Sequence, residues 1–178
     1  MMAVQSIVSF GDILLRKKAK HVISITPRMI RILNDLVDTL YAVEGRAGLA
    51  APQIGILRRM IVMDCGQGLM ELINPQILDM RGEQKGPEAC LSLPHYIGAV
   101  KRAEYVKVRA MNRHGEHIII EGTGLIARCI QHEMDHLDGK LFVDFAEGNW
   151  IYSRTSGDKM SLADAINLSK HRPMRMVE

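Results

Sequence analysis

Residues 129–139 read CIQHEMDHLDG, and no other segment restricts the fold as much. Leu125, Cys129, His132 and His136 recur at three- and four-residue spacing, which predicts a helix from Gly124 to about Asp138, with Gly139 at the position where helices commonly stop. Two histidines four apart share one helical face, about 6 Å apart along the axis, so both imidazoles can reach one metal ion. Glu133 lies about 100° round the helix and can handle a proton without binding the ion. This division of labour suits hydrolysis: the ion polarises a carbonyl and acidifies water, and the carboxylate carries the proton. A catalytic ion of this kind needs a third protein ligand and an open position, so the helix must be packed centrally, facing another element that supplies the ligand.

The third ligand does not lie downstream. The extended pattern HExxHxxGxxH is met as far as Gly139, but its last position is Phe142, which cannot bind metal. Glu147 sits on what reads as an edge segment, and the next glutamate is Glu178. An ordinary zinc endopeptidase would therefore lack its ligand. A thiolate beside two imidazoles suits zinc or ferrous iron, and the chain has three cysteines. Cys129 is on the histidine stripe but seven residues from His136, a rise of about 10.5 Å that one helix cannot close onto one ion. It reads as a small buried wall residue, and Cys65, at a strand end, as a core or surface thiol. Cys90 remains, in PEACLSLP, 42 residues before His132 and free to come from a separate strand.

The rest of the chain predicts an α+β domain, with antiparallel β-strands packed around a central helix carrying HExxH and an N-terminal helix before them. Thr26-Pro27 is a cap followed by proline at the first helical position. Met29, Ile30, Leu33, Leu36, Val37, Leu40 and Tyr41 then trace an amphipathic helix ending near Gly45. GRAGLAAPQIG follows as a loop whose small side chains let backbone approach something closely. RRMIVMDC and ELINPQILDM read as strands, and EYVKVRAMNRHGEHIIIEG as a hairpin turning at Asn112–Gly115. Residues 1–147 form the expected catalytic domain, and 148–178 a more polar tail with a short helix around Ser161 to Lys170.

A chain of 178 residues can bury one core without staples, and three cysteines without a CxxC pair argue against a disulfide framework. A net charge of +3, scattered apart from RKKAK at Arg16–Lys20, and 4% aromatic residues give little footing for DNA. No apolar run approaches the length of a membrane span and no signal sequence is evident, so the expectation is a cytoplasmic protein without membrane contact.

With Cys90 in play the chain resembles the peptide deformylase family. Three blocks carry the resemblance: GLAAPQ at Gly48–Gln53, EACLSLP at Glu88–Pro94 and QHEMDHLDG at Gln131–Gly139. The family removes the N-formyl group from the initiator methionine of nascent polypeptides and releases formate. The resemblance implies that Cys90, His132 and His136 bind one divalent metal ion, Fe2+ by family habit with Zn2+ or Ni2+ able to replace it, and that Glu133 is the general base and acid. It further implies that Gln53 and the Leu91 N–H stabilise the oxyanion, and that backbone near Gly48 and Ala89 holds N-formylmethionyl nascent peptides as an added strand. Glu88 and Arg102 would brace the cysteine loop, with Asp135 or Gln131 orienting ligands. Leu125 and Cys129, one and two turns before the histidines, would line an apolar pocket for the methionine side chain.

Arg46, Ala89 and Arg128 depart from the family pattern, all on the substrate side. The competing expectations are a related hydrolase of another small acyl amide and a non-catalytic metal-binding protein. The basic tail residues Arg154, Lys159, Lys170, Arg172 and Arg175 offer a contact to the ribosome.

Overall fold

The computed structural model describes residues 4–170. The first helix, α1 (Pro27–Tyr41), starts where the sequence places it: the Thr26 side chain accepts a hydrogen bond from the Met29 N–H, and Pro27 occupies the first turn. Met29, Ile32, Leu33, Leu36 and Leu40 are its buried stripe. The helix ends at Tyr41, four residues before Gly45, and Arg46 reaches back so that its Nη1 donates to the Thr39 carbonyl at 2.5 Å. A guanidinium thus satisfies one of the last-turn carbonyls that a helix leaves unpaired.

The small-residue segment expected to be a loop instead begins as a strand, β1 (Gly48–Ala50), and continues as a 3-10 turn at Ala51–Ile54. Glycine and alanine have poor strand propensity, so the pattern hides it; pairing with β2 (Met60–Met63) imposes it, with Gly48 opposite Met63 and Ala50 opposite Ile61. Then come β3 (Met70–Arg81), β4 (Gln84–Cys90), β5 (Leu93–Arg102), β6 (Tyr105–Met111), β7 (His117–Thr123) and the second helix, α2 (Gly124–Leu137). Beyond Gly148 lie β8 (Trp150–Ser153), β9 (Lys159–Ser161) and the short helix α3 (Leu162–Leu168), capped by the Ser161 side chain.

Two antiparallel sheets result, ordered β1-β2-β3-β6-β7 and β4-β5-β8-β9. The five-stranded sheet lies between the two helices. Along β2 the alternation shows this directly: Met60 and Val62 pack in the cluster with α1, Ile61 and Met63 in the cluster with α2, so every residue of MIVM is buried. In β3 the Asn74-Pro75 step forms a bulge, where a missing proline N–H breaks no ladder bond. Asn74, at φ 52°, exchanges two hydrogen bonds with the Val22 backbone in compensation. A third cluster, with Cys90, Leu93, Phe142 and Ile151, sits under the four-stranded sheet.

Helix α2 ends as its sequence predicts. Gly139 has φ 70°, Lys140 N–H donates to the Asp135 carbonyl at 2.9 Å and Gly139 N–H to that of His136 at 3.3 Å. A side chain at 139 would also strike the Arg16 carbonyl, 2.5 Å from where its first carbon would stand. The open edges β1 and β4 both border the histidine face of α2, and that is where the candidate site lies.

Candidate active site

The topology brings Cys90 at the end of β4 against two consecutive turns of α2. The sulfur of Cys90 and one ring nitrogen each of His132 and His136 lie within 4.8 Å of one another, with Cys90 Sγ 3.4 Å from His136 Nε2. Three ligands tetrahedrally arranged at 2.0–2.3 Å from one ion would be about 3.5 Å apart, so this donor set fits a single metal ion. The remaining ring nitrogen of His132, Nδ1, is 2.9 Å from Glu88 Oε2, which leaves Nε2 for an ion. His132 and His136 meet edge to face at 5.1 Å, and Phe142, the residue that fails as a downstream ligand, stacks on His132 from behind.

Glu88 is the hub of the supporting charges. It and Cys90 are two apart on one strand and therefore face the same side. Its carboxylate accepts from Arg102 Nε and Nη2 at 2.8 and 2.9 Å and from Arg128 Nη1 at 2.9 Å. Burial alone would push its carboxyl up, but Arg102 and His132 outweigh that and hold it at about 2. Arg102 also pairs with Asp135 at 2.6 Å, so Asp135 bears on His132 through Arg102 and Glu88. Gln131 instead clamps the Ala103 backbone N–H and carbonyl, both at 3.0 Å, and fastens α2 to the β5–β6 connection.

Cys90 is buried, which alone would raise its thiol, but His136 and His132 draw it well below the ordinary value. His132 shows the reverse balance: burial lowers it, and Cys90 and Glu88 together lift it well above 6.5. A thiolate held against two imidazoles is a site made for a cation.

Glu133 is 4% exposed, and burial raises its carboxyl above the usual carboxylate range. Its Oε2 is buried without a hydrogen-bond partner among the described residues, as is His136 Nδ1. Gly48 explains how backbone reaches this carboxylate: a side-chain carbon there would stand 2.6 Å from Glu133 Oε1 and 2.8 Å from Cys129 Sγ. Gln53 is 1% exposed; its Oε1 accepts from the Ala50 N–H at 2.9 Å, turning its Nε2 toward Cys90 Sγ at 3.6 Å.

Gly48, Gln53, Cys90, His132 and Glu133 line a cleft of about 640 Å³ together with Leu91, Ala89, Leu125 and Cys129. Leu125 is 60% exposed at the rim, so it is no core residue, whereas Cys129 is buried and its thiol donates to the Ala47 carbonyl at 3.6 Å. Arg128 turns its guanidinium onto Glu88 and the Val100 carbonyl, so its charge is already neutralised. The sequence reading passed over the bonds from Glu88 to His132 and Arg128, although the two-residue step from Glu88 to Cys90 signals a shared face. His95, on β5, and Arg154, in the β8–β9 turn, also border the cleft; no short-range pattern places either of them there.

The sequence profile of the family described as polypeptide deformylase matches residues 4–149. A peptide deformylase of Carboxydothermus hydrogenoformans is 51% identical over 146 residues, covering 82% of this chain and 95% of that one. One of Caldanaerobacter subterraneus is 53% identical over 143 residues, covering 80% and 89%. Among solved structures, the Synechococcus elongatus peptide deformylase in complex with actinonin superposes with TM-score 0.81 at 34% identity, over 99% of this chain and 91% of that one. The Met-Ala-Ser bound enzyme of Acinetobacter baumannii does so with TM-score 0.76 at 30% identity, covering 82% and 99%. With the profile spanning most of its length and relatives at half identity, this chain belongs to the polypeptide deformylase family.

Proposed function

We propose that this enzyme hydrolyses the N-formyl group of the initiator N-formylmethionine of nascent polypeptides, releasing formate. The observation that carries the reading is the conjunction of a Cys90, His132 and His136 donor set, with Cys90 and His132 facing the cleft, and a cleft-lining Glu133 whose Oε2 is buried with no hydrogen-bond partner among the described residues. A divalent ion held by those three residues supplies Lewis-acid polarisation and lowers the pKa of water. Fe2+ is the native ion in this reading, and Zn2+ or Ni2+ can take its place.

The remaining work falls to the chain's own groups. Glu133, its basicity raised by burial, takes a proton from water as the oxygen adds to the formyl carbon and returns it to the amine as the C–N bond breaks. Gln53 Nε2, aimed by the Ala50 N–H, and the Leu91 N–H donate to the carbonyl oxygen where charge develops. A peptide laid between the open edges β1 and β4 finds strand partners at Gly48 and Ala89, while its methionine side chain contacts Leu125 and Cys129. That a solved relative is Met-Ala-Ser bound supports a methionyl peptide as the ligand.

The enzyme works in the cytoplasm in this reading; no helix among the described residues is long and apolar enough to cross a membrane. Arg154, Lys159 and Lys170 are the candidate ribosome contacts, Lys159 lying over the Trp150 ring at 4.3 Å, while Arg172 and Arg175 lie outside the described residues. Cys90→Ala tests the assignment: it should lose both bound metal and formate release from formyl-Met-Ala-Ser. Activity on internal peptide bonds that survives Cys90→Ala would overturn it in favour of an endopeptidase.

A further inference from the structure

Cys65 and Cys129 are both free thiols, and neither belongs to the Cys90, His132 and His136 group. Cys65 lies just past β2 and Cys129 on α2, far apart in sequence, yet the fold sets them side by side. The Ala47 carbonyl accepts both the Asp64 N–H at 2.9 Å and the Cys129 thiol at 3.6 Å, which fixes Cys129 beside the Asp64-Cys65 step. Cys65 packs against the apolar cluster that contains Cys129, and the two thiols engage each other. Cys65 is half-buried and Cys129 buried, so Cys65 is the more accessible of the two. The loop after Cys65 turns on Gly66 and Gly68, at φ 92° and 94°, so it bends where other residues resist bending.

We propose that Cys65 and Cys129 are a modification site on the wall of the substrate cleft, at which an external low-molecular-weight disulfide oxidises the pair to an intramolecular disulfide that impairs the cleft. Cys65 attacks one sulfur of the external disulfide, forming a mixed disulfide and releasing one thiol. Cys129 then attacks the Cys65 sulfur and releases the second thiol, so the two protons lost by the protein end on the two thiol products. An accessible thiol backed by a resolving partner is the arrangement of oxidation-sensitive cysteines. Interaction with the neighbouring Cys129 thiol moves the Cys65 thiol below its ordinary value, in keeping with Cys65 as the attacking group.

The consequence for the cleft follows from what surrounds Cys129. A disulfide holds its two sulfurs about 2.05 Å apart, closer than unbonded sulfurs can stand, so forming it must shift one or both. Cys129 is one helical turn before Glu133, and the backbone at Gly48 lies against both side chains, so movement of the sulfur moves the wall at Ala47 and Gly48. The same backbone bears on Glu133, so the loss falls on kcat/KM as a whole.

The test uses metal-loaded enzyme treated with oxidised glutathione, followed by peptide mass mapping and steady-state assay on formyl-Met-Ala-Ser, before and after dithiothreitol. Wild type should yield a linked Cys65–Cys129 peptide and lose about tenfold in kcat/KM, restored by dithiothreitol. Cys65→Ser and Cys65→Ala should keep their kcat/KM through the same treatment. Absence of the linked peptide, a linked peptide with unchanged kcat/KM, or equal loss in the Cys65 variants each overturns the proposal. The effect on the cleft rests on the deformylase reading, but the linkage is read by mass whether or not formate is released, which tells the two failures apart.

Discussion

Substituting Gly48 by alanine should damage catalysis more than stability, because the new methyl group meets the catalytic carboxylate before anything else. The added carbon would stand 2.6 Å from Glu133 Oε1, and ordinary contact begins near 3.4 Å, so about 0.8 Å of movement is demanded. It would also press on Glu133 Cγ at 2.9 Å and Cys129 Sγ at 2.8 Å, so the side chain cannot simply pivot away. A misplacement near 1 Å costs on the order of 10²-fold, and we expect kcat for formyl-Met-Ala-Ser to fall about 50-fold. Overpacking of this size costs about 2 kcal/mol, or a Tm lower by about 6 °C in a domain of this length. Gly148→Ala is the control: Gly148 has φ 83° and nothing within 4 Å of the added carbon. It should cost about 1 kcal/mol through backbone strain and leave kcat within twofold. Formate-release kinetics with thermal unfolding on both variants decides the matter. A Gly48→Ala enzyme with kcat within twofold of wild type would refute the claim that close backbone approach positions Glu133.

Other outcomes follow from the charge hub and the bulge. Glu88→Gln keeps the shape but leaves Arg128 buried without its anion and Arg102 with Asp135 alone, so thermal unfolding should show a loss of about 3 kcal/mol, and metal titration a 10- to 100-fold weaker affinity, as an approximate range. The Glu88 carboxyl is held at about 2 in the fold against an ordinary 4.5, a difference of about 3 kcal/mol. A depressed carboxyl stabilises fully above pH 4.5 and loses that contribution as pH falls to about 2, so in acid the stability gap between wild type and Glu88→Gln should close within that window. Asn74→Ala removes both bonds to the Val22 backbone and should cost about 2 kcal/mol by denaturant unfolding with kcat unchanged. Leu125→Ala, at an exposed rim position, should raise KM for formyl-Met substrates severalfold while moving Tm by under about 1 °C.

The sequence carried the helices and the metal-ligand candidates because these depend on short-range regularities. The Thr26-Pro27 cap, the α1 stripe and the Gly139 stop are local, and the i,i+4 histidines share a face by helix geometry alone. Cys90 was reachable because helix rise ruled out Cys129 and side-chain chemistry ruled out Phe142. The strand β1 was not legible, since Gly48-Leu49-Ala50 has little strand propensity and becomes a strand through β2. The two strands beyond Gly148 were hidden for a similar reason: β8 owes its state to pairing with β5, and β9 is three residues long. The full set of bonds at Glu88 depends on β4, β5 and α2 meeting, and no spacing within any one segment encodes it.

Glu133 carries the central claim, because it separates a hydrolase from a protein that merely holds metal. Enzyme purified without oxygen should contain about one metal ion per chain and release formate from formyl-Met-Ala-Ser; Glu133→Ala should keep the metal and lose activity by about 10²- to 10⁴-fold. Full activity in Glu133→Ala, or bound metal with no formate release from wild type, would contradict the account.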